Sequence, residues 1–320
     1  MGDMTYRQLG DSGLTVSTVG LGCNQIGRKL DLEGTRAVVG AAIDAGITLF
    51  DTADIYGPTL GASEDLLGQA LEGRRDRVVI ATKFGMSTRG VMLPEYEARG
   101  SRRYIRTAIE GSLRRLRTDH IDLYQMHEPD PRTPIEETLE ALDELVHEGK
   151  VRYIGSSNFT GWQVVDADWV ARANGSARFI SAQNEYSLLE RDVEIELVPA
   201  AEHVGVGVIP YFPLARGLLT GKYRRGEPAP AGSRLAERTE FLDTADWDVV
   251  ENLQKFADAR SLTLLEVGIG GLAAQPGVAS VIVGATKPEQ VLANAQAGGW
   301  EPAAVDLVEL DDITGSARGR

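Results

Sequence analysis

Four side chains suited to acid–base chemistry stand at the ends of apolar runs. Asp51 and Tyr56 follow "AAIDAGITLF" (41–50), Lys83 ends "VVIATK" (78–83), and His127 ends "IDLYQMH" (121–127). A free phenol has a pKa of about 10 and transfers protons poorly at pH 7, whereas a neighbouring ammonium favours the phenolate. We therefore predict that Tyr56 transfers a proton while Lys83 lowers its pKa and Asp51 fixes Lys83. His127 would orient the oxygen that accepts the proton.

Each of these residues also has an ordinary structural explanation. Asp51 could cap a helix, and the ammonium of Lys83 could reach the surrounding water. His127 could cap the turn "EPDPRTP" (128–134), and Tyr56 could be a packed loop aromatic. These explanations are reasonable for single residues. They weaken when the residues occupy the ends of consecutive strands.

Eight short apolar runs alternate with segments of helical period from about residue 16 onward. This alternation predicts βα units and a parallel sheet. Eight units in 320 residues favour a (β/α)8 TIM barrel over an open doubly wound sheet. The C-terminal ends of barrel strands meet at one mouth, so the four side chains should converge there. The predicted strands are 17–22, 47–50, 78–83, 121–127, 151–157, 179–185, 206–211 and 280–285.

The remaining segments have predicted places around this barrel. Residues 4–16 predict an N-terminal β-hairpin that turns at 11–13 and covers the barrel bottom. The long connections 85–101 and 212–246 leave strand ends at the mouth and are candidate substrate loops, with plain surface loops as the alternative. No linker or further repeat interrupts the pattern, so we expect residues 1–320 to form a single barrel domain.

Composition excludes several classes of partner. A formal charge of −14 argues against nucleic acid and anionic membranes, and no run of about 18 apolar residues predicts a membrane span. The single cysteine, Cys23, permits no intrachain disulfide and is typical of a reducing, cytoplasmic location. Four histidines show no HExxH or Cys/His spacing, so we expect no metal.

Long, ordered motifs of the chain resemble the aldo-keto reductase family over about residues 5–300. They are most similar to its bacterial members and to the related potassium-channel β-subunits. The resemblance implies a (β/α)8 barrel that reduces aldehydes and ketones with a nicotinamide cofactor, usually NADPH. It also implies a catalytic tetrad of Asp51, Tyr56, Lys83 and His127, with Tyr56 as general acid. The motifs include "GLGC" (20–23), "DAGITLFDTADIYG" (44–57), "SEDLLGQAL" (63–71), "VIATKFG" (79–85), "SLRRLRTDHIDLYQMHEPDP" (112–131), "GKVRYIGSSNF" (149–159), "QNEYSLLER" (183–191), "PYFPLARGLLTGKY" (210–223) and "VIVGATKPEQVLANAQA" (281–297).

The same resemblance implies a cofactor-binding set drawn from several strand ends. It implies amide and hydroxyl groups at the nicotinamide carboxamide, a tyrosine stacked on the nicotinamide ring, a basic loop over the pyrophosphate and a helix N-terminus at the adenosine end. The alternative for the basic loop is a solvated surface segment. The implied residues are Gly22, Cys23, Asp51, Ser157, Asn158, Gln183, Tyr211, Pro213, Leu214, Arg216, Lys222, Arg234, Gly284, Thr286, Gln290 and Asn294.

Two positions in the predicted adenosine-binding region depart from the family pattern, and one glycine-rich segment resembles a different dinucleotide-binding motif. Gln290 and Ala293 stand where many relatives have an arginine for the 2′-phosphate and a glutamate for adenine, and Lys287 or Thr286 would compensate. We still expect NADPH to be preferred over NADH. The segment "GIGGLA" (268–273) satisfies the dinucleotide pattern G-x-G-x-x-A, but it lies inside a predicted helix and is therefore not a phosphate-binding turn.

The sequence thus predicts an NADPH-dependent oxidoreductase of class EC 1.1.1.- that reduces a small-molecule carbonyl substrate. One rival is a Schiff-base aldolase using Lys83, although the cofactor motifs would then have no role. The other rival is a non-catalytic or weakly catalytic NADP(H)-binding redox sensor, which the resemblance to channel subunits permits. The sequence does not indicate the physiological substrate or the oligomeric state.

Overall fold

The computed structural model describes residues 4–315 and begins with the predicted hairpin, β1 (Tyr6–Gln8) and β2 (Thr15–Ser17). Leu9 and Val16 are fully buried and pack with apolar residues of the barrel strands. Gly10 has φ +58°, and a Cβ there would lie 2.6 Å from the carbonyl oxygens of Ile180 and Gly205. The hairpin therefore seals the N-terminal end of the barrel, as predicted.

Eight parallel strands with helices between them curl into a (β/α)8 barrel. Their spatial order is β10-β3-β4-β5-β6-β7-β8-β9. The two outer strands of this order approach each other, since the N–H of Ile282 donates to the carbonyl of Pro210 at 3.1 Å. The strands are β3 (Val19–Gly22), β4 (Leu49–Asp51), β5 (Val79–Phe84), β6 (Ile121–Met126), β7 (Val151–Ser157), β8 (Phe179–Gln183), β9 (Gly207–Val208) and β10 (Val281–Gly284).

Three predicted strands are shorter in the structure. The strand predicted at 206–211 is only Gly207–Val208, because Pro210 has no N–H to continue a ladder. The strand predicted at 179–185 ends at Gln183, although an isolated bridge still joins Glu185 to Tyr211. The strand predicted at 17–22 starts at Val19, because Ser17 belongs to the hairpin. The other predicted limits agree within two residues.

Eleven α-helices of the described residues surround the strands or follow them. Their limits follow local signals: α4 starts after Pro134 with acids in its first turn, and Thr263 and Glu266 form a capping box at α9. The helices are α1 (Leu32–Asp44), α2 (Ala62–Ala70), α3 (Arg102–Leu116), α4 (Ile135–His147), α5 (Gly161–Asn174), α6 (Leu197–Val204), α7 (Glu240–Asp243), α8 (Trp247–Ala259), α9 (Leu264–Ala273), α10 (Pro288–Ala297) and α11 (Ala304–Thr314).

The segment "GIGGLA" lies inside helix α9, as predicted, and close packing explains its glycines. A Cβ on Gly270 would stand 2.6 Å from the carbonyl oxygen of Trp300. A Cβ on Gly268 would lie 3.1 Å from Leu214 and 3.2 Å from Leu219, which belong to the connection 212–246. The glycines let that connection and the chain after α10 approach the helix, and they have no geometry for holding phosphate.

Candidate active site

The ammonium of Lys83 lies at the centre of the predicted tetrad. Lys83 is near the end of β5 and fully buried, and its Nζ donates to Asp51 Oδ2 at 2.6 Å and to the Thr52 carbonyl at 2.9 Å. A third contact joins Nζ to the Tyr56 hydroxyl at 3.4 Å. Burial alone lowers the pKa of Lys83, but its interactions with the Asp51 carboxylate and with Tyr56 outweigh burial and the net pKa is raised. Lys83 is therefore a buried ammonium at neutral pH.

Tyr56 stands on the short loop between β4 and α2, which two backbone hydrogen bonds hold. Its N–H donates to the Ala53 carbonyl at 3.1 Å, and its own carbonyl accepts from Ser63 at 3.0 Å. Gly57 is required beside it, because its φ is +114° and a Cβ would lie 2.6 Å from that of Ala62. These constraints direct the phenol toward Lys83.

Lys83 acts on the pKa of Tyr56 in the expected direction, but the expected net lowering toward the working range is wrong. Burial raises the pKa of the phenol, the Lys83 charge opposes burial, and Asp51 adds to the rise, so that the net pKa is above its usual value. Desolvation disfavours the phenolate more strongly than one shared ammonium favours it. Tyr56 therefore holds its proton at neutral pH, which is the state that a general acid requires.

His127 follows β6 and stands edge-on to Tyr56, with the ring centroids 5.8 Å apart. Its backbone N–H donates to the Phe84 carbonyl at 2.7 Å, which ties it to the strand carrying Lys83. Burial, followed by the Lys83 charge, lowers the pKa of His127 well below its usual value. Its Nδ1 is buried and has no hydrogen-bond partner among residues 4–315. The imidazole is therefore neutral and has an unused hydrogen-bonding atom.

The second oxygen of Asp51 is held by two glutamines. Oδ1 accepts from Gln183 Nε2 at 2.8 Å and from Gln125 Nε2 at 3.3 Å, and Gln183 also donates to Gln125 Oε1 at 3.3 Å. The structure thus places Gln183 against the tetrad acid. Gln125 was missed in the sequence, although it stands two positions before His127 and so shares its face of the strand.

Several predicted cofactor residues adjoin this cluster at the ends of β3 and β7. Gly22 pairs with Asp51 across β3 and β4, and the Cys23 N–H donates to the Asp51 carbonyl at 2.8 Å. Burial raises the pKa of the Cys23 thiol, Asp51 raises it further, and Lys83 opposes both. Ser157 ends β7 and is buried, with its Oγ 3.2 Å from Asn158 Nδ2.

Asn158 links the tetrad to Tyr211. Its backbone has φ +60°, an uncommon conformation for a residue other than glycine. Its Nδ2 donates to the His127 carbonyl at 2.8 Å, while its Oδ1 accepts from the Tyr211 hydroxyl at 2.8 Å. The structure therefore brings Ser157, Asn158 and Tyr211 together beside the tetrad.

The connection 212–246 carries a cage of aromatic rings and arginines. Arg216 forms a bidentate ion pair with Glu185, with N–O distances of 2.7 and 3.1 Å. Its guanidinium carbon lies 4.9 Å from the ring centre of Phe212 and 4.8 Å from that of Phe241. Arg234 stacks on the same Phe212 ring at 4.8 Å. Burial lowers the pKa of Arg234, and the nearby charges of two other arginines lower it further. Glu185 and the rings were not predicted.

The other predicted residues of this connection are spread out. Pro213 is buried and Leu214 is half-buried against α9, next to Gly268. Lys222 Nζ lies 5.2 Å from the Tyr223 ring centre, a contact separate from the arginine cage. Arg216 and Arg234 therefore share the Phe212 ring, whereas Lys222 contacts the Tyr223 ring.

The predicted adenosine end lies at β10 and the start of α10. Gly284 ends β10, and Thr286 donates from its N–H and hydroxyl to Gln290 Oε1 at 2.8 and 3.1 Å. Gln290 is exposed, whereas Asn294 one turn later is buried. Pro288 opens α10, and no side chain caps its N-terminus. The free N–H groups at that end suit an anion.

A second polar cluster, missed in the sequence, lies behind the tetrad. Thr82 alternates with Lys83 along β5 and so faces the helices, and Asp54 lies in the turn that follows β4. Glu64 of α2 is fully buried and accepts from Thr82 Oγ1 at 2.6 Å and from Arg115 Nε at 2.7 Å. Asp54 is also fully buried, and neither carboxylate oxygen makes a hydrogen bond of normal geometry within residues 4–315. Such a carboxylate is disfavoured in its charged form.

Within residues 4–315, no group of three or more His, Cys, Asp or Glu side chains is arranged to hold a metal ion. No helix in the same range combines the length and apolarity needed to cross a membrane.

Comparison with known proteins agrees with this geometry. The model of the family described as "Aldo/keto reductase family" matches residues 18–312. An uncharacterized oxidoreductase, YrpG, of Bacillus subtilis is 40% identical, with 90% of this chain and 89% of that protein covered. A probable voltage-gated potassium channel subunit beta of Oryza sativa is 36% identical, with 92% and 91% covered.

A third relative is named for a defined substrate. The L-glyceraldehyde 3-phosphate reductase of Escherichia coli is 34% identical, with 92% of this chain and 88% of that protein covered. The family match spans nearly the whole chain, and the identities extend over the same range. The chain therefore belongs to the aldo-keto reductase family of oxidoreductases.

Proposed function

We propose that this oxidoreductase reduces an aldehyde or ketone to an alcohol with NADPH and that Tyr56 supplies the proton. The observation that carries the proposal is the buried contact of the Tyr56 hydroxyl with Lys83 Nζ, 3.4 Å away, while Asp51 holds that ammonium at 2.6 Å. A phenol in contact with a fixed ammonium is suited to give up a proton when an acceptor oxygen gains negative charge.

The pKa shifts of the tetrad support a division of roles. Burial raises the pKa of Tyr56, so the phenol is protonated before reaction. The raised pKa of Lys83, for which Asp51 and Tyr56 outweigh burial, keeps a positive charge beside the phenolate that remains after transfer. The lowered pKa of His127 leaves a neutral imidazole, whose N–H orients the carbonyl oxygen. Asp51 does not touch the substrate in this scheme and fixes Lys83.

The residues around the tetrad fit a nicotinamide dinucleotide. When bound in reduced form, this cofactor supplies the hydride to the carbonyl carbon. Ser157 and Asn158 present hydroxyl and amide groups that both donate and accept, as a carboxamide requires. Tyr211 lies beside them and offers a flat ring for stacking.

The phosphate end of the cofactor has support in the arginine cage. Arg216 and Arg234 flank one ring, and Glu185 is the carboxylate that pairs with Arg216. Two guanidinium groups that share one aromatic ring bring positive charge together, which suits a pyrophosphate. We propose NADPH rather than NADH, with Thr286 and Lys287 near the 2′-phosphate in place of an arginine.

Substitution of Tyr56 by Phe tests the catalytic part of the proposal. It removes the acidic hydroxyl and keeps the ring, so we expect carbonyl reduction to fall by about 10²- to 10⁴-fold. The affinity for NADPH, measured by fluorescence titration at fixed salt, should change less than about twofold, which corresponds to about 0.4 kcal/mol of binding free energy. Unchanged turnover would refute the role of Tyr56, and tighter binding of NADH than NADPH would refute the cofactor preference.

The relative named as a probable channel subunit favours a second candidate, a non-catalytic or weakly catalytic NADP(H)-binding redox sensor. The two candidates differ in turnover. A panel of carbonyl compounds including 4-nitrobenzaldehyde should produce steady NADPH oxidation if the protein is an enzyme. Bound cofactor without turnover on the whole panel would favour the sensor.

A further inference from the structure

A cleft of about 360 Å³ opens between the connection 85–101 and the turn 128–134. The connection begins at the end of β5, which carries Lys83, and the turn follows His127 directly. Both segments leave the C-terminal ends of strands, so the cleft lies on the same face of the barrel as the tetrad, although no tetrad residue lines it. Residues of both segments and of α3 line it, including Thr88, Leu93, Arg99, Tyr104, Asp130 and Arg132.

Both ends of the connection are held by buried or half-buried contacts. At its start, the Tyr104 hydroxyl donates to the Met86 carbonyl at 3.3 Å. At its end, the Gly100 N–H donates to Asp130 Oδ2 at 2.9 Å, and the Gly100 carbonyl accepts from Thr138 Oγ1 at 2.8 Å. These contacts fix where the connection leaves and rejoins the barrel. They do not fix the segment in between.

Arg132 reaches across the cleft to that intermediate segment. Its Nη1 donates to the carbonyls of Glu95 and Tyr96 at 3.4 and 3.3 Å, and its Nη2 donates to the Glu97 carbonyl at 2.7 Å. Its Nε lies 3.4 Å from Asp130 Oδ1, the carboxylate that also holds Gly100. One planar guanidinium thus joins three consecutive carbonyls to the turn after His127, which a lysine ammonium cannot reproduce.

Another arginine touches the same segment in a different way. Arg103 Nη1 lies 2.7 Å from Glu97 Oε1, but its side chain is 68% exposed. Exposed ion pairs contribute little because water and salt screen them. Arg103 therefore makes a matched control for Arg132: both are arginines, and both contact Glu97.

The segment held by Arg132 displays the ring of Tyr96, which is 80% exposed. Val91, earlier on the same connection, is 70% exposed, whereas Leu93 and Met92 pack against the core. A large aromatic side chain displayed on the face of the barrel that carries the tetrad is suited to contact the distant part of a substrate. The position of Tyr96 depends on the hold that Arg132 has on the backbone.

We propose that Arg132 is a positioning residue that fixes the 95–97 segment as one wall of the substrate cleft and thereby sets selectivity among carbonyl substrates. The proposal rests on the proposed carbonyl reduction. Arg132 acts through the loop and does not touch the reacting atoms. Its loss should weaken binding of substrates long enough to reach the wall and leave small aldehydes unaffected.

The experiment compares Arg132→Lys with Arg103→Gln in the full chain. Tryptic cleavage after Arg89 reports the freedom of the connection without any catalysis. We expect Arg132→Lys to raise the cleavage rate about tenfold and Arg103→Gln to change it less than about twofold, since Arg132 donates three hydrogen bonds to the backbone of the segment whereas Arg103 makes one ion pair with a side chain. Steady-state kinetics with propanal and with 4-nitrobenzaldehyde report selectivity. Arg132→Lys should raise the KM for 4-nitrobenzaldehyde about tenfold, while kcat for both and the KM for propanal stay within about twofold.

The outcomes separate this proposal from the proposed function. Equal cleavage rates in Arg132→Lys and wild type, or an equal rise of both KM values, would overturn the positioning role. If Arg132→Lys does not fold, Arg132→Gln is measured in the same way with the same criteria. If wild type reduces neither aldehyde nor any other carbonyl compound tested, the proposed function fails and the selectivity claim with it. Cleavage then still decides whether Arg132 holds the loop.

Discussion

The buried carboxyl group of Asp54 should make the stability of this protein fall as pH rises. Burial raises the pKa of Asp54 well above its usual value, the charge of Glu64 raises it further, and Arg115 opposes both. Arg115 and Thr82 donate their hydrogen bonds to Glu64, so neither stabilises the Asp54 carboxylate by direct contact. The folded protein therefore holds a proton on Asp54 at pH values where the unfolded chain has lost it.

The size of the effect follows from proton linkage. Between the unfolded pKa of an aspartate, about 3.9, and the raised folded pKa, the folded state binds one more proton than the unfolded state. The free energy of unfolding then falls by about 1.4 kcal/mol for each pH unit. Asparagine resembles the protonated acid in shape and never ionises. The stability of Asp54→Asn relative to wild type should therefore rise by about 1.4 kcal/mol per pH unit across this window.

Urea denaturation of wild type and Asp54→Asn at pH 5, 6 and 7 measures this slope. Asp130 supplies a contrast of opposite sign. Burial raises the pKa of Asp130, but hydrogen bonds from Gly100, Arg132 and Thr133 outweigh burial and the net pKa is lowered. The stability that Asp130 contributes is therefore fully present above the unfolded pKa of about 3.9 and lost only below it, so the cost of Asp130→Asn should stay constant from pH 5 to 7. A pH-independent difference between Asp54→Asn and wild type would refute the reasoning.

Two further substitutions test the packing of the site and of α9. Lys83→Met leaves Asp51 buried without its cation and should lower the free energy of unfolding by about 3–5 kcal/mol. The double variant with Asp51→Asn should recover part of this loss. Urea denaturation measures both variants, and a loss under about 1 kcal/mol would contradict a buried ion pair. Gly270→Ala should cost about 1–3 kcal/mol, because its Cβ would lie 2.6 Å from the Trp300 carbonyl oxygen. The control Gly40→Ala, in α1 with 3.7 Å to the nearest atom, should stabilise by about 0.5–1 kcal/mol; equal effects at both glycines would contradict the packing argument.

Local sequence signals were sufficient for the barrel and for the tetrad. The alternation of apolar runs and helical segments is a property of neighbouring residues, and parallel strands joined by helices have few ways to arrange themselves. Asp51, Lys83 and His127 were predictable because a charged or polar group that ends a buried strand has few structural uses. The resemblance to relatives added the predicted cofactor residues Ser157, Asn158 and Tyr211, which the structure brings together.

The limits of β9 and the partners of several predicted residues were not predictable in this way. Gln125 and Gln183 share Asp51 although they are distant in the chain, and Glu185 pairs with Arg216 across two connections. Such contacts depend on strand register and on the path of long loops. No spacing in the sequence encodes either of them directly.

The order of residues along the chain determined which groups reach the barrel mouth, because a strand's alternation assigns each side chain to the inside or the outside. Only the folded structure decided the protonation of those groups and of the buried groups behind them. Tyr56 and Asp54 have raised pKa values, and that of His127 is lowered, chiefly because burial removes water from around them. Desolvation is a property of the surrounding packing from many distant segments, and it outweighed the neighbouring charge of Lys83 on which the sequence-based expectation for Tyr56 relied.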